Sequence, residues 1–212
     1  MRNSEYTISM DTVQIYIADC SHLKREEIDK LKYLTKEDFD ELAKYRNEKA
    51  MKEKAVSFYL KRKYVKDYHL NNFGKPLSSA FYFNVSHSKG LIALAVCQNR
   101  DIGLDIEQIR EPKHGLVSYA CSETEAAYVK DGKTFFEIWT AKESLVKASG
   151  RGIDRAANTI PALPLCGYKT YLDEDYYSVS TDFGNYIFSV TLKGKDGFSI
   201  TNLINENLEF KK

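Results

Sequence analysis

The chain has 212 residues, of which 43% are hydrophobic and 29% charged, with a formal net charge of +1. This composition is typical of a globular protein with a proper core and excludes a disordered chain. The near-neutral charge argues against a general nucleic-acid binder, which needs a strongly basic surface. The longest strictly apolar run, Leu91–Cys97, is far too short to cross a bilayer.

The cysteines show no metal-binding or redox spacing. Cys20, Cys97, Cys121 and Cys166 are scattered, without a C-x-x-C pair or a short Cys/His pattern. Reduced thiols in the cytosol are the simplest account. The N-terminus also lacks the apolar region of a secretory signal peptide. The sequence therefore predicts a cytoplasmic protein that neither spans a membrane nor binds nucleic acid.

The first part of the chain is predicted to form a strand and several helices. Residues 13–18 alternate as a strand does, and a polar helix is expected at about residues 21–31. Thr35 with Asp38 indicates a helix start, although Glu or Gln is the usual capping-box partner. A longer amphipathic helix is expected over about residues 47–67.

Basic residues crowd that longer helix. A solvated face is the default interpretation of such a charge run, but one or two of these side chains could hold a phosphate. The sequence alone leaves both alternatives open. The basic residues are Arg46, Lys49, Lys52, Lys54, Lys61, Arg62, Lys63 and Lys66.

Two predicted strands follow a turn at residues 71–76, in which Gly74 is free to adopt positive φ. Residues 81–86 alternate and run into Ser86-His87-Ser88, and Leu91–Cys97 is the next strand. Ser86 and His87 are adjacent on a strand and point opposite ways, so they do not form a catalytic dyad. Hydroxyls and an imidazole at a turn suit a phosphate instead.

Residues 102–107 read Ile-Gly-Leu-Asp-Ile-Glu, which is the period-two pattern of a half-buried strand. Asp105 and Glu107 therefore project from one face, with Cα atoms roughly 6.5 Å apart. Gly103 shares that face, so a ligand could approach the backbone closely. A hard divalent cation with oxygen ligands would relieve the repulsion between the carboxylates. The alternative is an ordinary strand with an acidic solvent face.

Residues 108–117 contain Pro112 and Gly115 and are expected to form an exposed loop. Ser122 with Glu125 indicates a capping box for a short helix at 123–129. Strands are expected at 167–172, 176–180, 185–192 and 198–203.

Another helix is predicted at residues 134–149, where it would end at Gly150-Arg-Gly152. Ile138 and Leu145 lie on its core stripe, whereas Glu143 and Lys147 are neighbours one turn apart on another stripe. The pair is either a surface salt bridge worth about 0.3–0.5 kcal/mol or functional. In the second case Glu143 is a third oxygen ligand and Lys147 is the cation for a leaving phosphate.

Three segments together resemble the signature blocks of the 4'-phosphopantetheinyl transferases. The likeness is to the larger, surfactin-synthetase-activating type, whose chain resembles two fused copies of the small holo-acyl-carrier-protein synthase. Residues 73–76 also resemble that family's adenine-binding loop. The blocks are Phe83-Asn-Val-Ser-His-Ser88, Ile102-Gly-Leu-Asp-Ile-Glu107 and Trp139-Thr-Ala-Lys-Glu-Ser-Leu-Val-Lys147, in the family's order and spacing.

The resemblance implies a Mg²⁺-dependent enzyme that transfers 4'-phosphopantetheine from coenzyme A to a serine of an acyl- or peptidyl-carrier protein, releasing 3',5'-ADP. The metal ligands would be Asp105, Glu107 and Glu143. Glu143 would take the serine proton, directly or through a water on the metal, and Lys147 would neutralise the departing group. The other implied coenzyme A contacts are Ser86 and His87 for the phosphates, Phe73, Gly74, Lys75 and Pro76 for the adenine end, and Arg46 and Lys52 for the 3'-phosphate.

The fold implied is α+β, with two similar subdomains related by a pseudo-two-fold duplication. Each is a small antiparallel sheet packed against a helix, at residues 1–100 and 101–212, with the metal site at their interface. A monomer is expected. No internal sequence repeat is visible, so the duplication is implied by the family alone.

The loop at 108–117 follows the acidic strand and is a candidate carrier surface. Leu116, Val117 and Tyr119 would give apolar contact, while Arg110 and Lys113 would attract an acidic carrier. The alternative is that these apolar residues pack into the core.

Two other function classes stay open. One is a coenzyme A or nucleotide-binding module without transferase activity, although a binder needs no proton acceptor such as Glu143 beside a metal. The other is a metal-dependent phosphohydrolase, which would activate water with the same carboxylates. The carrier's pathway also stays open, because fatty acid, polyketide and non-ribosomal peptide systems in secondary metabolism all offer a serine.

Overall fold

The computed structural model describes residues 11–70, 76–152 and 156–211, apart from the side chains of Leu70 and Pro76. Within these ranges no helix combines the length and the apolar character needed to span a bilayer. The strands are β1 Asp11–Asp19, β2 His69–Leu70, β3 Pro76–Leu77, β4 Tyr82–Ser88, β5 Leu91–Cys97, β6 Ile102–Gln108, β7 Gly167–Tyr171, β8 Glu174–Phe183, β9 Tyr186–Lys193 and β10 Phe198–Asn205. The helices are α1 Lys36–Leu42, α2 Glu48–Tyr64, α3 Leu116–Ala120, α4 Glu123–Tyr128 and α5 Gly132–Ser149.

The predicted helix starts are confirmed by their caps. The Thr35 hydroxyl accepts from the Asp38 backbone N–H, and the Asp38 carboxylate accepts from the Thr35 N–H, which completes the capping box of α1. Ser122 and Glu125 cap α4 in the same way. Helix α5 begins two residues earlier than predicted, because Asp131 caps it. The polar helix expected at 21–31 is only a short 3₁₀ turn, Arg25–Lys30.

Two four-stranded sheets and the small β2–β3 pair make up the sheets of the described residues, which confirms the α+β class. The second sheet has the order β6-β9-β8-β7 and is antiparallel throughout. The first has the order β10-β1-β5-β4, and its β1–β10 pair is parallel. The predicted antiparallel pairing therefore holds for every strand pair of the two sheets except β1–β10. The reason is that the last strand returns to the first one and runs in its direction.

The layers are ordered α2, first sheet, second sheet, α5. The core between the sheets joins residues such as Ile15 and Ala93 of the first to Leu104 and Val190 of the second. The outer face of the first sheet packs on α2, whereas α5 covers the outer face of the second. Alternation along β6 therefore turns Leu104 toward the core and Asp105 toward α5.

The division of the chain near residue 100 stays a prediction. The first sheet contains β10, from the far end of the chain. After β10, Glu206 and Glu209 both form ion pairs with Lys63 of α2. Residues from both ends of the chain thus build the layer that contains α2.

Candidate functional site

The two sheets meet where β4 and β6 lie side by side, and side chains join them. Asn84 Oδ1 accepts the Leu104 N–H at 3.1 Å. Ser86 Oγ accepts the Ile106 N–H at 3.4 Å, and Ser88 Oγ accepts the Gln108 N–H at 3.2 Å. Three alternate side chains of β4 thus bind three alternate amides of β6. We call this contact the seam.

Asp105 lies beside the seam and is buried. Its Oδ1 accepts hydrogen bonds from Ser86 Oγ at 2.8 Å and from Lys147 Nζ at 2.6 Å. Its Oδ2 is buried without a hydrogen-bond partner among the described residues. Burial raises the pKa of Asp105, the charge and hydrogen bonds of Lys147 and Ser86 oppose this, and the negative charge of Glu107 raises the pKa further.

Glu107 lies two residues further along the same face. Its Oε2 accepts from Ser88 Oγ at 2.7 Å and from the Arg110 guanidinium at 2.9 Å. The Glu107 side chain is 22% exposed, more than the 8% of Asp105, so it lies toward the open end of the site.

Helix α5 contributes Glu143 and Lys147. The described ion pair of Lys147 joins it to Asp105, and its Nζ also donates to Ser86 Oγ at 3.0 Å and to the Leu104 carbonyl at 3.1 Å. A simple surface Glu143–Lys147 salt bridge is therefore excluded, because Lys147 crosses to β6. Burial raises the pKa of Glu143, and repulsion from Asp105 raises it further.

Gly103 has another role than the one expected. A Cβ built at this position would lie 1.9 Å from the Ser144 carbonyl oxygen and 2.4 Å from the Ala148 nitrogen. The backbone that approaches Gly103 closely is therefore that of α5 and not a ligand. This close approach brings Glu143 and Lys147 to the level of Asp105.

The carboxylate oxygens of Asp105, Glu107 and Glu143 are suitable ligands for a hard cation, although they are not already arranged around a common point. Among the described residues, no three His, Cys, Asp or Glu side chains are already gathered to hold a metal ion. Oδ2 of Asp105 nevertheless lacks a hydrogen-bond partner among the described residues, and the charges of Asp105 and Glu107 both raise the pKa of Glu143. Oxygen ligands of this kind are the ones Mg²⁺ prefers.

The two residues of β4 that are expected to bind phosphates point to opposite faces of the strand, as the sequence predicts. Ser86 is buried at the seam, whereas His87 is exposed on the other face of β4, with Nε2 3.6 Å from Glu53 of α2. Lys52, the residue before Glu53, forms an ion pair with Glu48 at 2.6 Å. Arg46 is exposed and precedes the Asn47 N-cap of α2. Ser86 therefore contributes to the buried seam, whereas His87 contributes to the surface beside α2.

The expected adenine-binding residues lie mostly outside the described ranges. Phe73, Gly74 and Lys75 are not described, and Pro76 is described only as backbone in β3. A cavity of about 310 Å³ lies next to this segment and is lined by His69, Leu77, Ser78, Ser79, Ala80, Phe81, Tyr82, Phe83, Gln98, Asp101 and Ile102. Ile102 is three residues from Asp105 on one strand, about 10 Å along it.

The expected exposed loop at 108–117 is only partly confirmed. Its last two residues begin helix α3, and both Leu116 and Val117 pack against the core cluster of Phe135 and Phe136. Arg110 contacts Glu107 and lies over the Phe136 ring. Tyr119, on α3, is 59% exposed.

Sequence reasoning missed a buried ion pair behind the site. Lys142 Nζ lies 2.7 Å from Glu125 and donates to the Ala157 and Ile160 carbonyls. Lys142 precedes Glu143, so the pair fixes the rotation of α5 about its axis. The available sequence signal was the position of Lys142, three and four residues before the buried Leu145 and Val146 on the same side of the helix.

Comparison with known proteins finds similarity in the segment that contains Asp105, Glu107, Glu143 and Lys147. Residues 101–189 match the family model described as the 4'-phosphopantetheinyl transferase superfamily. The chain is 34% identical over 90 residues to the 4'-phosphopantetheinyl transferase gsp of Aneurinibacillus migulanus, covering 39% of this chain and 38% of that protein. It is 37% identical over 95 residues to 4'-phosphopantetheinyl transferase HetI of a Nostoc species, covering 38% and 40%. For 4'-phosphopantetheinyl transferase AcpT of Salmonella typhi the values are 33% over 102 residues, covering 43% and 53%. The chain thus matches about half or less of the length of these relatives.

Proposed function

We propose that this chain transfers 4'-phosphopantetheine from coenzyme A to a carrier-protein serine. The match of residues 101–189 to the 4'-phosphopantetheinyl transferase superfamily model supports the proposal. One observation carries the proposal. Asp105 and Lys147, from two of the three signature blocks, meet Ser86 from the third within hydrogen-bonding distance.

In the proposed reaction the carrier serine oxygen attacks the β-phosphorus of the coenzyme A pyrophosphate. A new P–O bond forms to the serine, the bond to the bridging oxygen breaks, and 3',5'-ADP leaves. Glu143 accepts the serine proton; burial and the charges of Asp105 and Glu107 raise its pKa, which favours proton acceptance. Lys147 leaves Asp105 for the pyrophosphate and offsets the charge that develops on the departing ADP.

Mg²⁺ would be held by Asp105, Glu107 and Glu143, and would supply positive charge to the pyrophosphate oxygens. Support comes from Oδ2 of Asp105, which is buried without a hydrogen-bond partner among the described residues. In the absence of the cation, Lys147 is the counter-ion of Asp105.

The remaining coenzyme A contacts follow the two faces of β4. Ser86 would lie at the pyrophosphate, because it already contacts Lys147. His87 would meet the 3'-phosphate beside α2, where Lys52 is the better-placed of the two expected basic residues since it lies within that helix. The adenine end, with the 73–76 loop, would lie toward the 310 Å³ cavity.

The assay that tests the proposal uses purified protein, coenzyme A and Mg²⁺, with and without an apo carrier protein, read by mass spectrometry. Modification of the carrier serine, with ADP released only when carrier is present, is the expected result. Release of 4'-phosphopantetheine without carrier would instead identify a metal-dependent phosphohydrolase. Binding of coenzyme A with no turnover on fatty-acid, polyketide or peptidyl carriers would leave only a binding module.

A further inference from the structure

We propose that Ser88 is a positioning residue that turns the Glu107 carboxylate toward the bound cation. This inference rests on the proposed function, because it deepens the role of the same site. Ser88 ends β4 and is buried, so it does not contact substrate from solvent. Its effect on the reaction passes through Glu107.

The hydroxyl of Ser88 has a single proton, and the seam determines where that proton goes. Ser88 Oγ accepts the Gln108 N–H at 3.2 Å. Its own O–H therefore donates away from that amide, to Oε2 of Glu107 at 2.7 Å. The backbone of β6 thus holds the serine, and the serine in turn holds the carboxylate of the preceding residue.

Both described hydrogen bonds to the Glu107 carboxylate end on the same oxygen. Arg110 donates to Oε2 from the solvent side at 2.9 Å, while Ser88 donates from the buried side. Among the described residues this leaves Oε1 for a cation.

The same arrangement recurs two residues earlier, which indicates a repeated device. Ser86 accepts the Ile106 N–H and donates to Asp105 at 2.8 Å, as Ser88 does for Gln108 and Glu107. Asn84 makes the third seam contact, with Leu104, but the residue before Leu104 is Gly103, which has no carboxylate. Asn84 is therefore a natural control: it has the seam hydrogen bond without a carboxylate to position.

The experiment measures Mn²⁺ binding to the whole protein by electron paramagnetic resonance, without coenzyme A. Ser88→Ala is expected to weaken Mn²⁺ binding by about 10-fold, the lower end for loss of a hydrogen bond to a metal ligand, since Arg110 remains. Asn84→Ala is expected to stay within about twofold, because it loses a seam bond and no carboxylate contact. Thermal melts establish that each variant is folded.

A volume-matched pair makes the test independent of whether Ser88→Ala folds. Ser88→Thr keeps the hydroxyl and Ser88→Val replaces it with a methyl group of similar size. Ser88→Thr is expected to retain Mn²⁺ binding, while Ser88→Val is expected to weaken it as much as Ser88→Ala does. In transfer assays the Val variant should need more Mg²⁺ at an unchanged coenzyme A KM.

Equal Mn²⁺ binding by Ser88→Val and Ser88→Thr would overturn the inference. So would an equal loss in Asn84→Ala, which would make the effect one of seam stability alone. If the wild-type protein transfers 4'-phosphopantetheine while the Ser88 variants bind Mn²⁺ normally, only this inference fails. A wild-type protein that modifies no carrier would refute the proposed function instead, whatever the Mn²⁺ data.

Discussion

The ammonium of Lys147 lies 2.6 Å from Oδ1 of Asp105, a contact that joins helix α5 to strand β6 across the site. The two residues are 42 positions apart in the chain, and each belongs to a different predicted signature block. Both partners are largely buried, with side chains 27% and 8% exposed, so water screens their attraction only weakly. The charge and hydrogen bond of Lys147 therefore oppose the rise in the pKa of Asp105 that burial causes.

Lys147→Ala is expected to raise the coenzyme A KM and to lower kcat. In the proposed mechanism, Lys147 would contact the pyrophosphate both before and during the departure of ADP. Loss of one such charge-stabilising group typically costs about 100-fold or more in rate. Steady-state kinetics with saturating carrier measure the effect.

The matched control is Lys133→Ala, on the same helix, where the side chain is 46% exposed and pairs with Asp182. It should leave both constants within about twofold, as expected for a surface ion pair. Full activity in Lys147→Ala would mean that its pairing with Asp105 is only structural.

Glu143→Gln is expected to lower kcat by at least about 100-fold, the lower end for a positioned general base. The amide has the same shape but accepts no proton, so coenzyme A binding should change much less. Glu137→Gln is the control, because Glu137 lies on the same helix but accepts from the Tyr128 hydroxyl, away from the site. Equal rates for the two variants would remove Glu143 from the mechanism.

Gly103→Ala is expected to destabilise the protein strongly. The added Cβ would meet the Ser144 carbonyl oxygen at 1.9 Å, and a helix backbone cannot move aside as a flexible side chain can. We expect the loss to exceed the roughly 1–3 kcal/mol typical of an overpacked core. Urea unfolding measures it, and Gly197→Ala is the control, since its nearest neighbour would be 3.5 Å away. Similar stability of the two variants would show that α5 does not need this close approach.

We expect the carrier surface to include Tyr119 and Lys113, which are exposed and lie in the segment that follows strand β6. Leu116 and Val117 are unsuitable targets, because both pack against the core and their loss would disturb the fold. Tyr119→Ser combined with Lys113→Ala should raise the carrier KM several-fold and leave the coenzyme A KM within about twofold, the pattern for lost partner binding. Tyr168→Ser, on the far edge strand β7, is the control; an equal effect there would argue against this surface.

Local patterns predicted the elements that carry the site. The alternation at 102–107 gave the strand and the shared face of Asp105 and Glu107, and the 3-4 spacing at 134–149 gave the helix of Glu143 and Lys147. These properties depend on neighbours in sequence, which the sequence displays directly.

Contacts between distant segments could not be predicted in the same way. The return of β10 to β1, the Glu125–Lys142 pair and the partners of Ser88 each depend on which segments meet. Gly103 illustrates the difficulty, since a missing side chain permits close approach without indicating whether a ligand or a helix approaches. Ser86 is similar: a hydroxyl suits a phosphate, a carboxylate or an amide equally well.

The most direct test of the central claim is the intact mass of an apo carrier protein after incubation with coenzyme A and Mg²⁺, comparing wild type with Asp105→Ala. We predict that wild type adds 4'-phosphopantetheine to the carrier serine and that Asp105→Ala, although folded, adds none, while Glu107→Ala retains part of the activity. Full modification by Asp105→Ala at low Mg²⁺ would contradict the account, because transfer would then proceed without the carboxylate that Ser86 and Lys147 hold in place.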